Sequence, residues 1–308
     1  MSTRTWITQL TVALTLCATA PFAPGATAAT DTTPTPTLID IRAAHHPASG
    51  TAVARDRIVF DFAGPVPEHR SARWVTEPRY LTPDAGEVGL VPIQGNAYLQ
   101  LIFYSARGHE EDGQGTYGPS ARAFGLPDVM HVVNNNDFED SMGFLVGVSQ
   151  RTPFRMFTLT SPSRIVVDLD VGFRTVPVRT FFQDVPAYQQ GLTPDVRAVT
   201  RQVVPPATAR GALQRLFAGP TESEKHTGLG FVASGAKGFS NLSITNGVAR
   251  VHLTGGCDSG GSTFTVASLI VPTLRQFPTV STVKIYDPDG TTEHPTGPDD
   301  SVPECLEP

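Results

Sequence analysis

The chain has 308 residues, a net charge of −6 and three cysteines. That length holds two domains of ordinary size. With 29 acidic residues against 23 basic ones, it is a poor partner for nucleic acid, whose phosphates reward clustered Lys and Arg.

The first residues follow the pattern of an export signal. Arg4 supplies the positive start, Trp6 to Ala20 is mostly apolar or small, and Ala26-Thr27-Ala28 fits a small-residue cleavage site. Residues 1–28 are therefore expected to be a signal peptide and to leave a secreted or cell-wall-associated chain. The apolar run falls short of the roughly 20 residues that a membrane span needs, and no other run resembles a span. Leu16 precedes Cys17 where a lipid anchor would need a small residue. Residues 29–37, polar and Pro-rich, read as a disordered linker.

Residues 38–171 read as all-β. In Arg57-Ile58-Val59-Phe60-Asp61-Phe62 the apolar residues alternate and place Ile58, Phe60 and Phe62 on one face. Further strands are expected at Arg73–Val75, Tyr98–Phe103, Phe154–Leu159 and Arg164–Leu169, with turn clusters between them. A short helix is expected after Pro127.

Residues 172–178 form a connector, and the pattern then changes. Strands are expected at Val178–Phe182 and Val196–Val204. A helix from Pro206 to Leu216 has Pro at its start and Gly219-Pro220 past its end. Leu242–Ile244 and Val248–Leu253 form a hairpin through Asn246-Gly247, a favoured two-residue turn. A second helix spans Ser262 to Phe277 and is kinked or broken at Pro272. Val280–Tyr286 is the last strand, followed by the turn Asp287-Pro288-Asp289-Gly290.

Cys17 leaves with the signal. Cys257 and Cys305 remain as an even pair in a chain bound for an oxidising compartment, which predicts one disulfide. It would hold the Pro-rich tail, residues 292–308, against residues 179–291. No C-x-x-C or paired His accompanies them, so a zinc site is not expected.

The second region is similar to GerMN domains of sporulation and spore germination proteins. The resemblance is carried by Val199-Thr200-Arg201, the run Ala212 to Pro220, Ile244-Thr245-Asn246-Gly247-Val248, Thr273 to Pro278, Val283-Lys284-Ile285 and Asp289-Gly290. The first region resembles the AMIN-like domains of secreted actinobacterial proteins through Arg57 to Phe62, Asp137-Phe138-Glu139, Pro153-Phe154-Arg155 and Pro162 to Asp168. The resemblance implies an α+β chain: an N-terminal sandwich-like β module, then a small α/β module. It also implies wall targeting by the first, in some relatives through peptidoglycan, and envelope assembly by the second, with no enzymatic activity or cofactor.

Candidate chemistry is sparse. Asp258-Ser259-Gly260-Gly261 and Ala43-Ala44-His45 resemble the nucleophile and base segments of chymotrypsin-like proteases. Ser259 would attack and His45 would take its proton. Cys257 and Ser262 stand where that pattern has Gly and Pro. The plainer reading is a Gly-rich loop entering a helix, with Ser262 or Thr263 as its N-cap. The acidic clusters His109 to Asp112 and Asp137 to Asp140 are read as solvated loops rather than metal sites. Trp74, Tyr80, Tyr98 and Tyr104 offer aromatic faces. Arg73, Trp74 and Arg79 form the candidate binding set, with the arginines suited to a wall-peptide carboxylate. The expected function is that of an exported, non-catalytic envelope protein that engages peptidoglycan or envelope proteins. A Ser259-dependent hydrolase and a self-associating structural protein are the alternatives.

Overall fold

A computed structural model of the protein describes residues 34–81 and 89–308. The expected signal segment lies outside the described residues. In the first half the described strands are β1 (Thr37–His46), β2 (Arg55–Ala63), β3 (Arg70–Val75), β4 (Ala97–Tyr104), β5 (Ala121–Ala123), β6 (Val129–Phe138), β7 (Ser141–Val148), β8 (Phe154–Thr160) and β9 (Ser163–Asp170). They make two antiparallel sheets, ordered β1-β2-β9-β8 and β3-β4-β7-β6-β5.

The two sheets share one core, because alternate residues of each strand point between them. Ile58, Phe60 and Phe62 do so on β2, as the alternation predicts. Phe60 meets Phe103 edge-on at 5.0 Å and Phe144 at 5.2 Å. All three rings are fully buried. The outer face of the larger sheet carries a smaller cluster of Val91, Ile93, Val133 and Leu145. Gly147 admits the covering segment, since a Cβ there would lie 1.9 Å from the Gln94 carbonyl oxygen. The helix expected after Pro127 is absent and β6 stands in its place. Val129, Val132 and Val133 are β-branched residues that fill a half-buried pleat better than a helix turn.

The second half runs β10 (Val176–Asp184), α1 (Val185–Gln189), β11 (Val196–Val203), α2 (Thr208–Ala218), α3 (Glu222–His226), β12 (Leu229–Gly230), β13 (Gly238–Thr245), β14 (Val248–Thr254), α4 (Val266–Arg275) and β15 (Thr282–Tyr286). Its sheets are β11-β10-β12 and β13-β14-β15. Leu213 and Leu216 of α2 and Leu269, Ile270 and Leu274 of α4 bury against Phe182, Val251 and Ile285.

The β13–β14 turn has positive φ at Asn246 (50°) and Gly247 (82°), as a primed hairpin turn requires. Helix α2 begins two residues after Pro206 and ends at Gly219, whose φ is 90°. Helix α4 is shorter than Ser262–Phe277. The Ser262 hydroxyl accepts from the Phe264 N–H at 3.1 Å and holds those residues in a turn. The residue at the helix entrance is thus Thr265, whose N–H donates to Ser268 Oγ at 3.3 Å. Neither Ser262 nor Thr263 occupies the cap. Pro272 lies inside the helix and does not end it.

The predicted disulfide joins Cys257 and Cys305. The tail is held by more than that bond. Ser301 lies alongside β15, accepting from Ile285 N–H at 2.9 Å and donating to the Val283 carbonyl at 3.0 Å. Lys284 is fully buried and donates from Nζ to the carbonyls of His294 at 2.6 Å and Thr296 at 3.2 Å.

One side chain does most of the joining of the halves. Arg215 of α2 is 2% exposed. Its guanidinium donates to the carbonyls of Phe124 (3.2 Å), Val129 (3.4 Å) and Pro127 (3.0 Å) and to Ser149 Oγ (3.1 Å), all in the first half. Its fifth acceptor is the Gln202 carbonyl of its own half, at 3.2 Å. Beside it, Gln214 Nε2 donates to Asn96 Oδ1 at 2.7 Å, and Gln94 Nε2 to the Lys237 carbonyl at 3.2 Å.

Candidate functional site

The outward face of the smaller sheet follows from the pleat. Residues opposite the core positions are Asp40 and Arg42 on β1, Arg55, Arg57 and Asp61 on β2, Arg164, Asp168 and Asp170 on β9, and Arg155, Phe157 and Leu159 on β8. Five arginines thus share this face with four aspartates in a chain of net charge −6. Asp168 is the hub. It is 3% exposed and accepts both arms of Arg57, at 2.7 and 2.8 Å, and Arg155 at 3.2 Å, while Arg55 lies 3.4 Å away as an ion-pair partner. Burial alone would raise its pKa, but the Arg57 hydrogen bonds and charge win and hold it below the usual carboxylate range. Arg57 and Arg155 also lie over the Phe157 ring, 5.5 and 5.1 Å from its centre. Arg42 pairs with Asp61 at 2.8 Å while its side chain stays half exposed.

A depression of about 300 Å³ opens on this face and is walled by Arg42, Arg57, Arg164, His46 and Leu159. The arrangement can do one thing well, which is to present several pre-positioned guanidinium groups, each a planar fork of donors, to carboxylate or phosphate oxygens. The ion pairs within the face use only part of that capacity. This surface was not singled out in the sequence because its arginines are scattered over four strands. The readable signal is their alternation with core residues, as in Arg57-Ile58 and Arg164-Ile165.

The candidate set Arg73, Trp74 and Arg79 is not gathered into one platform. Arg73 and Trp74 are adjacent on β3 and project to opposite faces. Arg73 donates to Gln100 Oε1 at 2.9 Å, while Trp74 turns to the inter-sheet core, edge-on to Phe154 at 6.0 Å, with Arg151 5.7 Å from its ring centre. Arg79 is mostly exposed and pairs with Glu77 at 2.7 Å. Tyr80 and Tyr98 pack on the outer cluster of the larger sheet, and Tyr104 is exposed.

Ser259 and His45 each have local partners. Ser259 Oγ accepts from Gly261 N–H at 3.1 Å, and its own N–H donates to the Cys305 carbonyl at 2.8 Å. Asp258 accepts from Gly260 N–H at 2.8 Å. The Gly-rich loop is therefore stitched to the tail. His45 lies in the first half, with Nδ1 2.8 Å from Asp56 Oδ1. Of the two acidic clusters, His109 and Asp137 meet at 3.3 Å. Among the described residues no three His, Cys, Asp or Glu side chains come together as a metal-ligand group.

Two buried groups near the junction are strongly shifted. Asp56, fully buried, accepts the N–H groups of Asp128 at 2.7 Å and Val129 at 2.9 Å. Burial pushes the Asp128 carboxyl up to about 7, against the pull of the Gln150 N–H and with a further rise from Asp56. Burial lowers His131 to about 4. The neutral ring accepts the Gln94 N–H at Nδ1, at 3.3 Å.

Residues 36–171 match the AMIN-like domain family. Residues 181–292 match the family described as sporulation and spore germination. No curated protein and no solved structure gives a significant match. Both matched regions coincide with the halves built above, the β-sandwich and the α/β layer. The chain thus carries an AMIN-like domain followed by a GerMN domain of the sporulation and spore germination family.

Proposed function

We propose that the protein is an exported, non-catalytic component of the cell envelope whose β-sandwich grips the wall and whose GerMN half engages another envelope protein. The observation that carries the wall-binding half is the excess of arginines over carboxylates on the outer sheet face, on a chain that is acidic as a whole. AMIN-like domains are associated with peptidoglycan binding, and stem-peptide carboxylates suit guanidinium groups. The face would make the contact through Arg42, Arg155 and Arg164, with Arg57 and Asp168 as the rigid base.

The test is co-sedimentation of the protein with purified sacculi. The parent is expected to sediment with the walls. Arg42→Glu/Arg155→Glu is expected to reduce retention at least tenfold, because both side chains are exposed and each reversal replaces attraction with repulsion. A parent protein that stays in the supernatant sinks the wall-binding reading. Retention unchanged in the variant moves the contact off this face, and Arg73 and Trp74 then become the next positions to change.

A further inference from the structure

A cleft of about 450 Å³ lies where the two halves meet. One wall is the segment from Leu90 to Tyr98 of the β-sandwich. The other is formed by α2, the start of β13 and the end of β14. Two hydrogen bonds already described, Gln94 to Lys237 and Gln214 to Asn96, cross the junction beside it. The cleft therefore belongs to neither half alone.

Its lining is chemically lopsided. Leu90, which is exposed, and the half-buried Phe239 give it apolar surface, with Val91 and Ile93 buried behind them. Arg210 and Lys237 stand on the second wall, both exposed, and among the described residues neither forms an ion pair. Arg210 lies over the Phe239 ring, 5.5 Å from its centre, which holds the cation above apolar surface. Among the described residues no Asp or Glu lines the cleft. Some arginines of this acidic chain are matched with carboxylates, as Arg42 with Asp61 and Arg201 with Glu224. Two unmatched cations flanking an apolar floor ask for a ligand that brings its own carboxylates and an apolar group between them.

We infer that this interdomain cleft is a docking site for a short acidic segment of a partner protein, with an apolar side chain on Leu90 and Phe239 and flanking carboxylates on Arg210 and Lys237. This rests on reading the GerMN half as a protein-binding module, and it supplies the chemistry of the partner. Because both walls are needed, binding depends on the clamp at Arg215.

The experiment uses the intact protein and fluorescein-labelled hexapeptides in which two Asp or Glu flank one Leu, Phe or Tyr, with Lys-for-acid counterparts as controls. Anisotropy is read at low and moderate salt. The acidic peptides are expected to bind at least tenfold better than their basic counterparts, and less well as salt rises. Arg210→Glu/Lys237→Glu is expected to remove that preference. Arg210→Gln/Lys237→Gln, which adds no repulsion, is expected to weaken it at least fivefold. Arg174→Glu, outside the lining, is expected to leave it intact. Equal binding of acidic and basic peptides overturns the inference, as does a preference unchanged in both cleft variants or no binding at about 1 mM peptide. Soluble wall peptides displacing the acidic hexapeptides at equal concentration would also overturn it, since the cleft would then serve the wall. Partner proteins that cross-link to the GerMN half equally well in parent and cleft variants would sink the cleft and leave the broader protein-binding reading standing.

Discussion

The guanidinium of Arg215 donates to the Pro127 carbonyl at 3.0 Å, from a helix of the GerMN half to a loop of the β-sandwich. The loop from Phe124 to Val129 turns three carbonyls toward that one cation. Burial lowers the Arg215 pKa to about 10, which still leaves it charged at neutral pH. A buried cation stripped of its acceptors, or acceptors stripped of the cation, is costly.

Replacing Arg215 with Met is therefore expected to destabilise the protein by about 3–5 kcal/mol. It should also split unfolding into two transitions, because each half keeps its own core while the joint fails. Differential scanning calorimetry reads both effects. Arg215→Lys is expected to fall between, since an ammonium has three donors for five acceptors.

Asp128 and His131 predict opposite responses to pH. The folded pKa of Asp128 is raised, so its contribution is complete below about 4 and is lost as pH rises to about 7. The folded pKa of His131 is lowered, so its contribution is complete above about 6.5 and is lost as pH falls to about 4. Between those limits the two slopes oppose, each about 1.4 kcal/mol per pH unit. Relative to the parent, Asp128→Asn is expected to lose on the order of 3 kcal/mol as pH falls from 6.5 to 4. His131→Gln is expected to lose a similar amount as pH rises over the same range. Urea denaturation of the three proteins at pH 4, 5, 6 and 7 gives the difference curves.

The disulfide closes a separation of 48 residues. Chain-entropy reasoning assigns such a loop about 4 kcal/mol. Cys257→Ser/Cys305→Ser is expected to lower the urea midpoint accordingly, and a reducing agent should do the same to the parent and nothing further to the variant.

Lys284 makes a separate demand on the tail. Lys284→Met removes the donor for the His294 and Thr296 carbonyls, at a cost of about 2–4 kcal/mol. Limited proteolysis should then cut between 292 and 300 faster than in the parent, even with the disulfide intact.

Much of the fold was legible in the sequence. The alternation through Arg57–Phe62 gave a sandwich strand, Asn246-Gly247 a primed hairpin, and Gly219-Pro220 a helix end, because each depends on neighbours along the chain. What could not be read depends on neighbours in space. Arg215 sits in a helical run where a charged residue would ordinarily face water, and nothing near it in sequence reports three carbonyls from residues 124–129. Helix α3 is five residues held by the reciprocal Thr221–Glu224 cap, too short for a periodic signal. Arg73 and Trp74 are adjacent in the sequence, and only the pleat of β3 decides that they project to opposite faces. The arginine face and the cleft escaped notice for the converse reason, as their residues converge only after the sheets and the two halves assemble.

The tail residue Ser301 has one more effect. A sheet ends where its last strand meets solvent, and an open row of backbone donors and acceptors there invites a strand from another molecule. Along β15 the chain's own C-terminus fills part of that row. It works as a stopper, so growth of copies into a continuous sheet by way of β15 is blocked while the tail stays in place. A protease that removes the tail from Ser301 onward would do more than shorten the protein: it would leave a chain with an adhesive flank.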